Sequence, residues 1–128
     1  MVATLIYVKN ADVLIALSTV PSHPILDEVM LWICRRYPGL VCVTEGYRPG
    51  LGCHGTNPCR ARDLRSNNFQ QPKAIENEIN NHWTYDPDRM EKKVALWHRV
   101  ENPDGTWGGY HFHIQVHENT RRRKTKEV

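Results

Sequence analysis

Seven histidines fall within 128 residues, and three of them share one short segment. Over residues 110–117 the side chains alternate. Tyr110, Phe112, Ile114 and Val116 fall on one face of a strand, and His111, His113, Gln115 and His117 fall on the other. The first face predicts a seal on a core; the second presents three imidazoles. Residues at i and i+2 on a strand point the same way, roughly 6–7 Å apart. That spacing lets one imidazole bind a metal while its neighbour carries a proton. A second cluster runs from Cys53 and His54 to Asp63. His54 lies in a glycine-rich loop, and Asp63 lies where the chain re-enters a strand. A histidine and a carboxylate supply two of the three protein ligands of a catalytic zinc site and leave a position for water. Both clusters have a plainer reading, as a solvated strand face and a structural loop.

The four cysteines, Cys34, Cys42, Cys53 and Cys59, form neither a C-x-x-C pair nor a finger spacing. A cysteine-based zinc site is therefore disfavoured. Cys34 and Cys42 lie in apolar runs and read as core thiols. Cys53 and Cys59 bracket a Gly/Pro/Asn loop and could close a disulfide, which a reducing cytoplasm would oppose.

These residues need a frame. Pro21 to Pro24 punctuates the entry to a helix over 25–37, where Ile25, Val29, Trp32 and Ile33 recur at helical spacing. Pro38-Gly39 ends it. The β-branched run 40–44 predicts a strand. Residues 45–60 hold Gly46, Pro49, Gly50, Gly52, Gly55 and Pro58, and predict a loop. A short strand follows over 61–64. Pro72 opens a helix to about Trp83, with Ile75, Ile79 and Trp83 on one stripe. Residues 93–100 and 110–117 predict a hairpin across the turn sequence Asn102-Pro-Asp-Gly105. The fold class is α+β: a small antiparallel sheet with two main helices on one face and a zinc cleft on the other.

A chain of 128 residues fits one domain. Apolar residues make up 40% and charged residues 24%, which excludes disordered and collagen-like classes. The net charge of +3 comes from the end of the chain, where residues 118–128 hold five basic and two acidic side chains. This divides the chain into a domain over 1–120 and a basic tail over 121–128. Such a tail reads as a solvated end, or as a contact with an anionic polymer. No run approaches the roughly 18 apolar residues of a membrane span. The N-terminus lacks a basic leader and carries Lys9, Asn10 and Asp12, so no signal peptide is expected.

Three segments carry a family resemblance. Val43-Thr-Glu-Gly-Tyr-Arg48 resembles the Val-Thr-Ser-Gly-Tyr-Arg run of the D-alanyl-D-alanine peptidase and endolysin superfamily, which includes the hedgehog signalling fold. His54 through Asp63-Leu-Arg65 is similar to its His-(x)-Gly-(x)-Ala-(x)-Asp-(hydrophobic)-Arg segment. His111-Phe-His113-Ile-Gln-Val resembles its closing His-x-His strand. The order agrees, the matches span residues 43–117, and the short phage-encoded members look most alike. The resemblance implies zinc held by His54, Asp63 and His113, with Arg48 stabilising the oxyanion. It implies hydrolysis of murein stem peptides through a zinc-activated water, as an L-alanyl-D-glutamate endopeptidase or a D-alanyl-D-alanine carboxypeptidase.

The chain departs from the family in two places. Eight residues separate His54 from Asp63, two more than usual. The carboxylate that many members carry three residues before the last zinc ligand is replaced by Tyr110, or by Gly108 if His111 were the ligand. His111 is the preferred substitute base, with His98, Glu101 and Asp104 as alternatives. The expected partner is a peptidoglycan stem peptide, with no nucleic acid and a monomeric state. The expected setting is synthesis in a host cytoplasm and action at the bacterial cell wall, or carriage on a virion. Two other functions compete: a non-catalytic zinc-binding module of a phage particle, and a His-hydrophobic-His nuclease. The nuclease needs a tyrosine downstream of the histidine pair, and none follows Tyr110.

Overall fold

The computed structural model describes residues 5–50 and 52–123. The chain forms β1 (Tyr7–Val8), α1 (Ala11–Thr19), α2 (Pro24–Arg36), β2 (Cys42–Glu45), a 3-10 turn (Gly52–Gly55), β3 (Ala61–Arg65), α3 (Pro72–His82), β4 (Trp83–Thr84), β5 (Ala95–His98), β6 (His111–Gln115) and β7 (Arg121–Arg122). Five strands make the main sheet, in the order β1-β2-β3-β6-β5. The α+β class holds, with two differences from the expected frame. The sheet is mixed rather than antiparallel, because β1 runs parallel to β2. A third helix, α1, precedes the two expected ones. Its apolar stripe is weak: Leu14 and Ile15 are exposed, and only Val13 and Leu17 reach the core. Local chemistry starts it instead, since the Asn10 side chain caps it by accepting from Val13 N at 3.0 Å.

The two expected helices follow their sequence signals. Pro24 and Pro72 sit in the first turns of α2 and α3. Leu26, Val29 and Ile33 of α2 and Ile79 of α3 join one core with Leu64, Phe112 and Ile114 of the sheet. Burying a side chain of this size contributes about 1.5–3 kcal/mol. Asn80 of α3 also clamps the edge strand β5. It donates to Ala95 O and accepts from Ala95 N, both at 2.9 Å.

Register sets the chemistry of the opposite face. Asp63 pairs with His113, Arg65 with His111 and Ala61 with Gln115 across β3 and β6. On the other side, His98 pairs with His111 and Leu96 with His113. The hairpin closes at Gly105, whose φ of 86° suits glycine. The first two residues of the basic run do not trail free: Arg121–Arg122 pair with Trp83–Thr84. The rest of that run, 124–128, and residues 1–4 of the N-terminus lie outside the described residues. Among the described residues no helix is long and apolar enough to cross a membrane.

Candidate metal centre

His54 enters the site from the long loop rather than from the sheet. That loop is fastened at both ends. Cys59 N donates to Pro21 O and His23 N donates to Cys59 O, each at 2.8 Å, which ties it to the α1–α2 connection. Arg48 N donates to His54 O at 2.8 Å. Gly55 has no room for a side chain, since a Cβ there would stand 2.9 Å from both Arg48 O and Gly50 N. These ties bury His54 to 5% exposure and aim its ring at β3. No disulfide closes the loop between Cys53 and Cys59, because all four cysteines are free thiols.

Two imidazoles converge on one carboxylate oxygen. His54 Nε2 lies 3.2 Å from Asp63 Oδ1, and His113 Nδ1 lies 3.1 Å from the same atom. The other ring nitrogens are already committed. His54 Nδ1 lies 2.7 Å from the Gly46 carbonyl oxygen, which only accepts, so this nitrogen carries the proton. His113 Nε2 lies 3.1 Å from Gln115 Oε1. That amide is oriented by its own donation from Nε2 to Lys93 O at 2.8 Å, so Oε1 is the acceptor. In the neutral imidazoles, both lone pairs therefore face an anionic oxygen. Such an arrangement repels unless a cation stands between the groups.

A metal ion meets that need. The two nitrogen–oxygen separations, 3.2 and 3.1 Å, suit neighbouring ligands of one small cation, and the three ligand atoms lie within 4.8 Å of one another. The backbone carbonyl behind His54 is a partner that metal-bound histidines ordinarily have, and the Gln115 amide oxygen fills the same acceptor role behind His113. The His54, Asp63 and His113 group can hold a metal ion. A proton is the other cation available. Burial lowers the His54 pKa, but the Asp63 hydrogen bond and charge outweigh it and raise the value. Burial raises Asp63, and the hydrogen bonds from His113 and His54 win, holding it well below the usual carboxylate range.

The remaining predicted residues take varied places. His111 Nδ1 lies 3.2 Å from Gly109 O and donates to it, which leaves Nε2 free at 3.7 Å from Asp63 Oδ2. His98 stands beside it, with ring centroids 4.9 Å apart. Burial first, then the neighbouring His111 and His113, lower the His98 pKa. Arg48 is held by Glu45 at 2.9 Å. Asp104 is engaged within the hairpin turn, accepting from Thr106 N at 3.0 Å and Thr106 Oγ1 at 2.6 Å. His117 lies past the end of β6 and faces Asp86 at 3.8 Å instead of the centre.

Sequence reasoning missed two contributors. Glu45 is the register partner of Asp63, and both line the same cleft. Alternation puts Gln115 on the histidine face, but its orienting of His113 depends on the Lys93 contact. The cleft, about 680 Å³, also takes in Lys9, Arg65, Trp97, Tyr110 and His111. A scan against family models, a search of curated proteins and a search of solved structures each return no match for this chain.

Proposed function

We infer that this protein is a zinc-dependent peptidase acting on peptidoglycan stem peptides. The observation that carries the reading is the convergence of two oriented imidazole lone pairs on Asp63 Oδ1. The ordered resemblance over residues 43–117 supplies the substrate class. Two nitrogens and one oxygen at an open site suit zinc. When bound, such an ion polarises a carbonyl oxygen and makes water a usable nucleophile near neutral pH.

The chain's own residues do the rest. His111 takes a proton at Nε2, because its Nδ1–H is held by Gly109 O. Asp63 Oδ2, at 3.7 Å, offsets the imidazolium charge that results. His111 then returns the proton to the leaving amine. Arg48, kept near the site by Glu45 and by its backbone bond to His54, binds the charge that develops on the carbonyl oxygen.

The deciding experiment is digestion of purified murein by zinc-loaded protein, read as released amines between pH 5 and 9. Expected is release that stops with a chelator and falls roughly 100-fold or more in His111→Ala, the usual scale of acid–base catalysis. Full zinc occupancy with no release at any pH would instead favour the non-catalytic metal module.

A further inference from the structure

The cleft carries cationic charge that the metal centre does not use. Lys9 and Arg65 both line it, together with Asp63 and His111. Neither makes an ion pair among the described residues, whereas Glu45 is matched by Arg48. Asp63 offsets only half the charge of a divalent ion. With a divalent ion bound the cleft is net positive, and a neutral peptide would leave that charge uncompensated.

The two side chains are placed rather than incidental. Arg65 follows Asp63 by two residues, so both point from the same face of β3, roughly 6–7 Å apart. It is also the register partner of His111. Lys9 arrives by a separate route. Tyr7 N donates to Val41 O and Lys9 N donates to Val43 O, both at 2.9 Å, and this pairing sets the N-terminal segment along β2. Adding β1 to the sheet edge thus brings an ammonium to the same cleft. Arg65 adds a fork suited to a carboxylate.

We propose that Arg65 and Lys9 form an anion subsite, which binds a free carboxylate on the residue that follows the scissile bond. One side chain's length from the metal ligands is the right span for a group on that residue. The inference rests on the peptidase reading and sharpens it. Both bonds considered there meet the requirement. The terminal D-alanine has a free carboxylate, and γ-linked D-glutamate keeps its α-carboxylate free. Amidation to isoglutamine removes the latter.

The test uses matched stem-type peptides of L-alanine joined to γ-linked D-glutamate, one with the α-carboxylate and one with the carboxamide. In each the scissile amide is reduced to CH2–NH, so that binding is read without turnover. Calorimetry with zinc-loaded protein is expected to show the carboxylate peptide binding roughly 10–100-fold tighter, the scale of a charge-assisted hydrogen bond. Arg65→Gln and Lys9→Gln should each shrink that preference, and Arg65→Lys should keep part of it. Equal binding of the two peptides overturns the subsite, whether or not the normal peptide is cleaved. A preference that survives both glutamine variants overturns the assignment to these residues. A preference that depends on Arg65 in a protein that cleaves neither normal peptide upholds the subsite and removes the peptidase reading alone.

Discussion

Among the described residues two buried aspartates, Asp63 and Asp86, have histidines close by, and they are built for opposite purposes. Asp86 is surrounded by donors. Its Oδ1 accepts from Asp88 N at 3.0 Å, and its Oδ2 accepts from Arg89 Nε at 3.1 Å. Asn119 adds a weaker donor at 3.5 Å. The nearby His117 uses its Nδ1 to accept from Asn119 N at 3.1 Å. That carboxylate needs nothing further, and it links the segment after β4 to Asn119, just before β7. Among the described residues Asp63 has no comparable set of donors. Its close neighbours are two imidazole nitrogens which, in the neutral rings, present lone pairs, because each ring's one proton is engaged on its other nitrogen. A buried His–Asp contact is thus no sign of a site by itself. The useful question is where the other ring nitrogen points.

The largest expected effect separates the two aspartates directly. At a zinc concentration about 100 times Kd, the bound ion stabilises a single-site protein by about 2.7 kcal/mol. Asp63→Asn should abolish the zinc-induced rise in Tm. Loss of a direct ligand weakens affinity by more than the roughly 10–100-fold cost of losing an outer partner. Asp86→Asn should lower Tm with and without zinc by similar amounts, leaving the zinc-induced rise intact. A zinc response that survives Asp63→Asn, or disappears in Asp86→Asn, would reverse the roles assigned here.

A smaller effect tests the claim about the second ring nitrogen. Gln115→Met keeps the volume but removes the acceptor that fixes His113 Nε2. Zinc affinity should fall roughly 10–100-fold while the metal-free protein stays folded. Competition with a chromogenic chelator measures it. Unchanged affinity would mean that His113 is oriented by packing and not by the amide.

The sequence disclosed one half of this comparison more readily than the other. Period-2 alternation put His111, His113 and Gln115 on one face, and glycine-rich chemistry put His54 in a loop; both readings follow from local rules. The pairing of Glu45 with Asp63 obeys no local rule, because register across strands depends on a bulge between Val43 and Glu45. Lys9 was invisible as a cleft residue because β1 has only two residues and joins the sheet through backbone bonds to β2. Helix α1 escaped for a related reason, since its apolar residues are divided between core and solvent. Arg121–Arg122 read as solvated tail because charge pattern carries no information about an isolated two-residue ladder.

The smallest effect is a pH dependence, and its sign follows from the same nitrogen geometry. His54 is raised in the fold, chiefly by Asp63 acting against burial, so its proton stabilises the metal-free protein. That contribution is full below the unfolded value near 6.5 and is lost as pH rises through the higher folded value. Asp63 is depressed, so its contribution is present above an unfolded value near 3.9 and is lost only as pH falls towards the folded one. The metal-free protein should therefore lose stability as pH climbs above about 6.5. Zinc should act in the opposite sense, stabilising more as pH rises through the same window, because the ion takes the place of the proton. Thermal scans with and without zinc from pH 5.5 to 8.5 would show the two curves diverging upward in pH. Curves that stay parallel would mean that proton and metal do not compete for the space between His54 and Asp63.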